Sequence, residues 1–104
     1  MKIQHTIALA ASLLLAQNAF ADVVAVAQKA NCLGCHQENQ KRFGPSFKEI
    51  ADKYRGDKSA AAMLEKKIRD GGKGNWGKVA MPPTAATVSD ADIKDLAQWI
   101  LSTK

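Results

Sequence analysis

Cys32-Leu33-Gly34-Cys35-His36 is the stretch on which the reading of this chain turns. Two thiols three positions apart, followed at once by an imidazole, form the attachment signature of a covalently bound c-type haem. The spacing has a chemical reason. Each thiol adds across one haem vinyl group, the two intervening residues let both sulfurs reach one porphyrin edge, and the adjacent histidine then lies under the iron. Cys-x-x-Cys alone is shared with thiol oxidoreductases and zinc sites, but neither needs the adjoining His. Beyond residue 21, Cys32, Cys35 and His36 are the only Cys and His, so a closed tetrahedral zinc site of those residue types lacks its fourth ligand. A Cys32–Cys35 disulfide would close too small a loop to add much stability. The strand-rich pattern of a thioredoxin-like oxidoreductase is missing around the pair.

Working outward, the start of the chain reads as an address. Met1-Lys2 gives a short positive end, Ile7 to Leu15 is apolar apart from Ser12, and Ala19-Phe20-Ala21 has the small-x-small pattern of a cleavage site. A secretory signal peptide over residues 1–21 is expected, leaving residues 22–104 as one exported domain. The apolar run is shorter than the roughly 20 residues a spanning helix needs, so a membrane anchor is not expected. Export to the periplasm suits thiols that pass through an oxidising compartment on their way to haem.

A domain of this size has a marginal apolar core and commonly borrows stability from a bound group. With 15 basic and 10 acidic residues the chain carries +5; the leader holds Lys2 and no acid, so its removal lowers this by one, to +4. The lysines are scattered and interleaved with acids, which gives no tract for nucleic acid. Most belong to a solvated surface, and those near a haem edge could steer an acidic redox partner.

The periodicity is helical throughout, so the chain reads as all-α. A short Ala-rich helix over about Val23 to Asn31 leads into the haem motif. Gly44-Pro45 breaks the chain and Ser46 is placed to cap a second helix with Phe47, Ile50, Ala51 and Tyr54 on one face, ending at Gly56. A third runs from about Ser59, with Met63, Leu64 and Ile68 read as apolar, to Gly71-Gly72. The fourth opens at Ser89, with Asp92 in a shortened capping box, and carries Ile93, Leu96, Ala97, Ile100 and Leu101. No alternating run suggests a strand.

Between the third and fourth helices lies Gly71 to Val88, too long for a simple connection. Its Gly72-x-Gly74-x-x-Gly77 spacing is not a dinucleotide fingerprint, which needs a preceding strand and a following helix. The loop then presents Met81-Pro82-Pro83. A haem held by one His has an open sixth position, and a thioether on a proline-stiffened loop suits it. Met81 is therefore the expected second iron ligand, with a core methionine as the plainer alternative. Met63, beside Leu64, is read as structural. Two strong protein ligands would leave no vacancy for oxygen or peroxide, and the soft sulfur would favour ferrous iron, which points to electron transfer.

Taken together, these residues resemble the short bacterial class I monohaem cytochromes c. The resemblance covers essentially all of residues 22–104. It rests on Cys32-Leu33-Gly34-Cys35-His36, Gly44-Pro45, Asn75-Trp76-Gly77, Met81-Pro82-Pro83, and the closing helix with Leu96, Trp99 and Ile100. It implies a small fold of about four helices wrapped around one covalently attached haem c, with His36 and Met81 as axial ligands. It also implies that the Pro45 carbonyl accepts from the His36 ring, fixing the tautomer, and that Trp76 and Lys67 serve a haem propionate. A partly buried loop aromatic is the alternative for Trp76. The implied role is a monomeric periplasmic electron carrier, not an enzyme. Its donor would be a quinol-linked complex or another cytochrome, and its acceptor a terminal oxidase, nitrite reductase or cytochrome c peroxidase.

One position departs from the family pattern. Many members place Asn after the two prolines, whereas here the residue is Thr84, shorter and with a single O–H donor. A weaker or more mobile Met81 bond is expected. The competing reading is a haem enzyme or gas sensor with a displaceable sixth ligand, which would bind carbon monoxide readily when reduced.

Overall fold

Two serines start two of the helices. In the computed structural model, which describes residues 22–104, the Ser46 hydroxyl accepts from the Glu49 N–H at 3.0 Å. The Ser89 hydroxyl accepts from the Asp92 N–H at 3.1 Å. Each satisfies one of the donors that a helix start leaves unpaired. The reciprocal half of the capping box at Ser89 is not formed, consistent with Asp92 being one methylene shorter than glutamate. The expected leader lies outside the described residues.

Helix α1 occupies residues 22–29, and Cys32–Gly34 forms a single 3₁₀ turn. Helix α2 spans Phe47–Lys53, α3 Ala60–Asp70 and α4 Asp90–Leu101. Among the described residues there is no strand, only an isolated antiparallel bridge between Gly72 and Met81, so the all-α expectation holds. Helix α1 stops earlier than the sequence suggested. Asn31 takes the left-handed conformation at φ 64°, which asparagine tolerates better than most residues, and turns the chain into the Cys-x-x-Cys segment. Ser59 does not cap α3, because its own N–H and hydroxyl both donate to the Asp57 carboxylate.

Helix α4 is the spine, packed against both α3 and α2. Its stripe Ile93, Leu96, Ala97 and Ile100 meets Leu64 and Ile68 of α3 and Phe47 and Ile50 of α2 in one core, closed by Ala27 and Val88. Leu96 is wholly buried, so truncating it to Ala should cost about 2–5 kcal/mol. Met63 corrects the sequence reading: it is 38% exposed. Leu64 and Ile68, four apart, share a face of α3, while Met63 is turned about 100° from Leu64 around the helix.

Candidate functional site

The site starts at the 3₁₀ turn, whose tightness comes from two amides converging on one carbonyl. The Cys35 and His36 N–H groups both donate to the Cys32 carbonyl, at 3.3 and 3.0 Å. Cys32 and Cys35 are free thiols, both half-buried, and burial pushes the Cys32 thiol above its ordinary value against an opposing backbone hydrogen bond. The disulfide alternative is not taken.

The His36 ring is fixed from several sides. Its Nδ1 lies 2.7 Å from the Pro45 carbonyl oxygen. A carbonyl can only accept, so Nδ1 is the donating nitrogen, and in the neutral tautomer this sets, Nε2 is the one with a lone pair to offer. Phe47 stacks against the ring at 5.6 Å between centroids and 22° between planes, and Trp99 of α4 backs Phe47 at 5.3 Å. On another side stands Gly44. A Cβ there would lie 2.6 Å from His36 Cε1, so the missing side chain is what admits the imidazole. The sequence marked Gly44 only as a chain breaker. Pro45 is buried directly after it, which makes its carbonyl a dependable acceptor away from water.

Met81 is held differently, by its backbone. Its N–H donates to the Gly72 carbonyl and its carbonyl accepts from the Gly72 N–H, each at 2.9 Å. Gly71, at φ 70°, makes this approach possible: a Cβ there would run into the Met81 carbonyl and the two prolines after it. The Met81 residue is half-buried and packs on the same core cluster as Cys32 and Trp76. Lys67 reaches the same place from α3, its Nζ 3.2 Å from where a Gly72 Cβ would stand.

Trp76 is half-buried, and the Lys53 ammonium of α2 lies 4.6 Å from its ring centroid, a cation–π contact the sequence did not reveal. Thr84 is anchored by its backbone, its N–H shared between the Ile68 and Arg69 carbonyls at 3.2 Å each. Arg69, at the end of α3, donates to the carbonyls of Ala85 and Val88.

The donor set suits a c-type haem. Two unoxidised thiols three positions apart, an imidazole with its tautomer set and Nε2 uncommitted, and a glycine-made recess beside that ring are what such a group requires. Among the described residues, no group of three or more His, Cys, Asp or Glu could hold a bare metal ion.

A cytochrome c family model matches residues 20–104. The chain belongs to the cytochrome c family. It is 48% identical over 95 residues to cytochrome c-552 of Nitrosomonas europaea, covering 91% of this chain and 90% of that protein. It is 49% identical over 87 residues to cytochrome c-551 of Allochromatium vinosum, covering 84% and 90%. The crystal structure of the Nitrosomonas europaea cytochrome c552 superposes with a TM-score of 0.73 at 48% identity, over 78% of this chain and 99% of that one. Within the family this chain is a small class I cytochrome c, an electron-transfer protein carrying one covalently attached haem c.

Proposed function

We propose that this cytochrome c is a periplasmic electron carrier in which Cys32 and Cys35 bind haem covalently and His36 and Met81 ligate its iron. The bound haem supplies a one-electron ferric/ferrous couple. Cys32 and Cys35 would hold the group by adding their S–H bonds across its vinyl C=C bonds, an addition that needs no oxidant. The observation that carries the reading is the 2.7 Å bond from His36 Nδ1 to the Pro45 carbonyl. It presents Nε2 as the donor and makes the imidazole a stronger one. Gly44 and Phe47 keep the ring in one orientation through both charge states.

Met81 offers a thioether from a segment stiffened by Pro82 and Pro83 and tied to Gly72. A sulfur ligand held in place in both oxidation states would leave no coordination site for a small molecule, which suits a carrier rather than an enzyme or sensor. Trp76 and Lys67 offer an indole N–H and an ammonium for a haem propionate, and Lys53 over the Trp76 face adds a second positive charge beside that donor. The partner classes implied by the family are a quinol-linked donor or another cytochrome, and a terminal oxidase, nitrite reductase or peroxidase as acceptor. A modest positive charge would steer an acidic docking surface. Export with cleavage after Ala21 completes the reading.

The visible spectrum of the exported, haem-loaded protein tests it. The oxidised form is expected to show the weak far-red band of sulfur on ferric iron, and the reduced form to leave carbon monoxide unbound. Attached haem without that band, or ready carbon monoxide binding, would overturn Met81 ligation and the carrier role with it.

A further inference from the structure

Arg69 stands in the last turn of α3, and its side chain is 29% exposed. Nη1 donates to the Ala85 carbonyl at 3.1 Å and lies at the limit of hydrogen bonding, 3.5 Å, from that of Thr84. Nη2 donates to the Val88 carbonyl at 2.7 Å and to Asp90 Oδ1 at 2.8 Å. The loop between Met81 and α4 thus curls around one guanidinium. The Asp90 carboxylate is 97% exposed, and an ion pair so open to water adds little. The carbonyls are the substance of the contact. A planar fork with five donors can satisfy several of them at once, which an ammonium cannot.

These bonds bear on Met81 through the chain that follows it. Pro82 and Pro83 allow little bending, so the orientation of Met81 is set at both ends of a short stiff strut. At one end Met81 pairs with Gly72. At the other the Thr84 N–H is tied to the end of α3, and Arg69 holds the carbonyls just beyond. Thr84 spends its main-chain groups on this anchorage.

We infer that Arg69 is a positioning residue that holds the Met81-bearing loop and so governs how readily the Met81 sulfur leaves the iron. The inference rests on the reading of Met81 as an iron ligand. It assigns Arg69 no contact with the haem. Hydrogen bonds to a charged donor are among the stronger ones in proteins, so their loss should be felt first in the loop.

The test uses the haem-loaded protein and cyanide as the displacing ligand for ferric iron. Arg69→Met is expected to be displaced at least about tenfold faster than wild type. Amide hydrogen exchange at Met81 and Thr84 should be accelerated while the α4 amides near Leu96 stay protected. Arg69→Lys keeps the charge at the helix end but not the fork, and should fall between the two. It also serves as the decisive variant if Arg69→Met does not accumulate. Asp90→Asn should stay near wild type. A wild-type protein without the far-red sulfur band removes the Met81 reading and this one together. A wild type that shows the band, with both Arg69 variants displaced at the wild-type rate, overturns the role of Arg69 alone.

Discussion

Two loops of equal span flank the site, both closed by backbone bonds, and differ in what is packed against the residue each presents. His36 to Pro45 and Gly72 to Met81 are each nine residues apart. The first is closed by the His36 side-chain bond to the Pro45 carbonyl and by backbone bonds from the Gly44 N–H to the Cys35 carbonyl and from the Phe47 N–H to the Gln37 carbonyl, and its base is packed: Gly44 makes the space, Phe47 fills the back and Trp99 supports Phe47. The second is closed by a pair of backbone bonds and fastened beyond by Arg69, with most of its residues exposed. Packing resists displacement through many small contacts, whereas a loop held by a few hydrogen bonds can open locally while the core stays folded. The imidazole is thus on the side built to stay and the thioether on the side able to yield.

The largest expected effect breaks the packed side. Phe47 is 3% exposed and lies between His36 and α4. Phe47→Ala should lower unfolding stability by about 3–5 kcal/mol, read from denaturant midpoints of the haem-loaded protein. A loss below 1 kcal/mol would show that the stack is not what supports the imidazole. Next in size is Gly71→Ala, where a Cβ at φ 70° meets the Met81 carbonyl. About 1–3 kcal/mol should be lost. The far-red band should fade on heating well before the helical circular dichroism does. If both signals fade together, the loop is no weaker than the core.

Thr84→Asn sharpens the comparison in the opposite direction. It supplies the side-chain amide that many members of the family carry after the two prolines, without disturbing the main-chain bonds Thr84 makes to α3. Exchange of the Met81 sulfur should slow by a few-fold, within what one hydrogen bond contributes. Unchanged kinetics would mean that the backbone anchorage alone sets the rate.

The smallest effect is acid loosening away from the loop. Hydrogen bonds from Lys48 and then Arg55 hold the Asp52 carboxyl below its ordinary value of 3.8, and those from the Ser59 hydroxyl and N–H do so for Asp57. For a carboxyl lowered in the folded state the stabilisation is present above the unfolded value and is lost as pH falls through the folded one. Stability should therefore decline slightly below about pH 4, the more so at low salt. Asp52→Asn together with Asp57→Asn should flatten that decline. An equally steep slope in the double variant would place its origin elsewhere.

How much of this was legible in the sequence follows the same division. Contacts within a few residues were readable, because a local pattern carries them: Ser46 and Ser89 as caps, the Leu96 stripe, the glycine stop after Asp70. The Pro45 bond to His36 came from family resemblance and stands in the geometry at 2.7 Å. Arg69 was not legible, since its partners lie 15 to 21 positions away and a cation on a helix reads the same whether it faces water or carbonyls. Lys53 over Trp76 was hidden for the same reason. Gly44 reads as a chain breaker in the sequence because a missing side chain does not announce which ring occupies its place. Met63 stands beside Leu64 in sequence yet is exposed, since neighbours in sequence are not neighbours on a helix face.

The two nine-residue closures also bear on how the molecule assembles. Segments of that length find their ends in roughly 10–100 ns, so each flank of the site can form before the chain is collapsed. What remains is the arrival of α4 against α2 and α3, with Arg69 and Asp90 joining across a span of 21 positions. Short-range closure first and docking of α4 afterwards is the order that chain entropy favours, since closing a longer span costs more. A refolding trace in which both loops are protected before α4 would display that order directly.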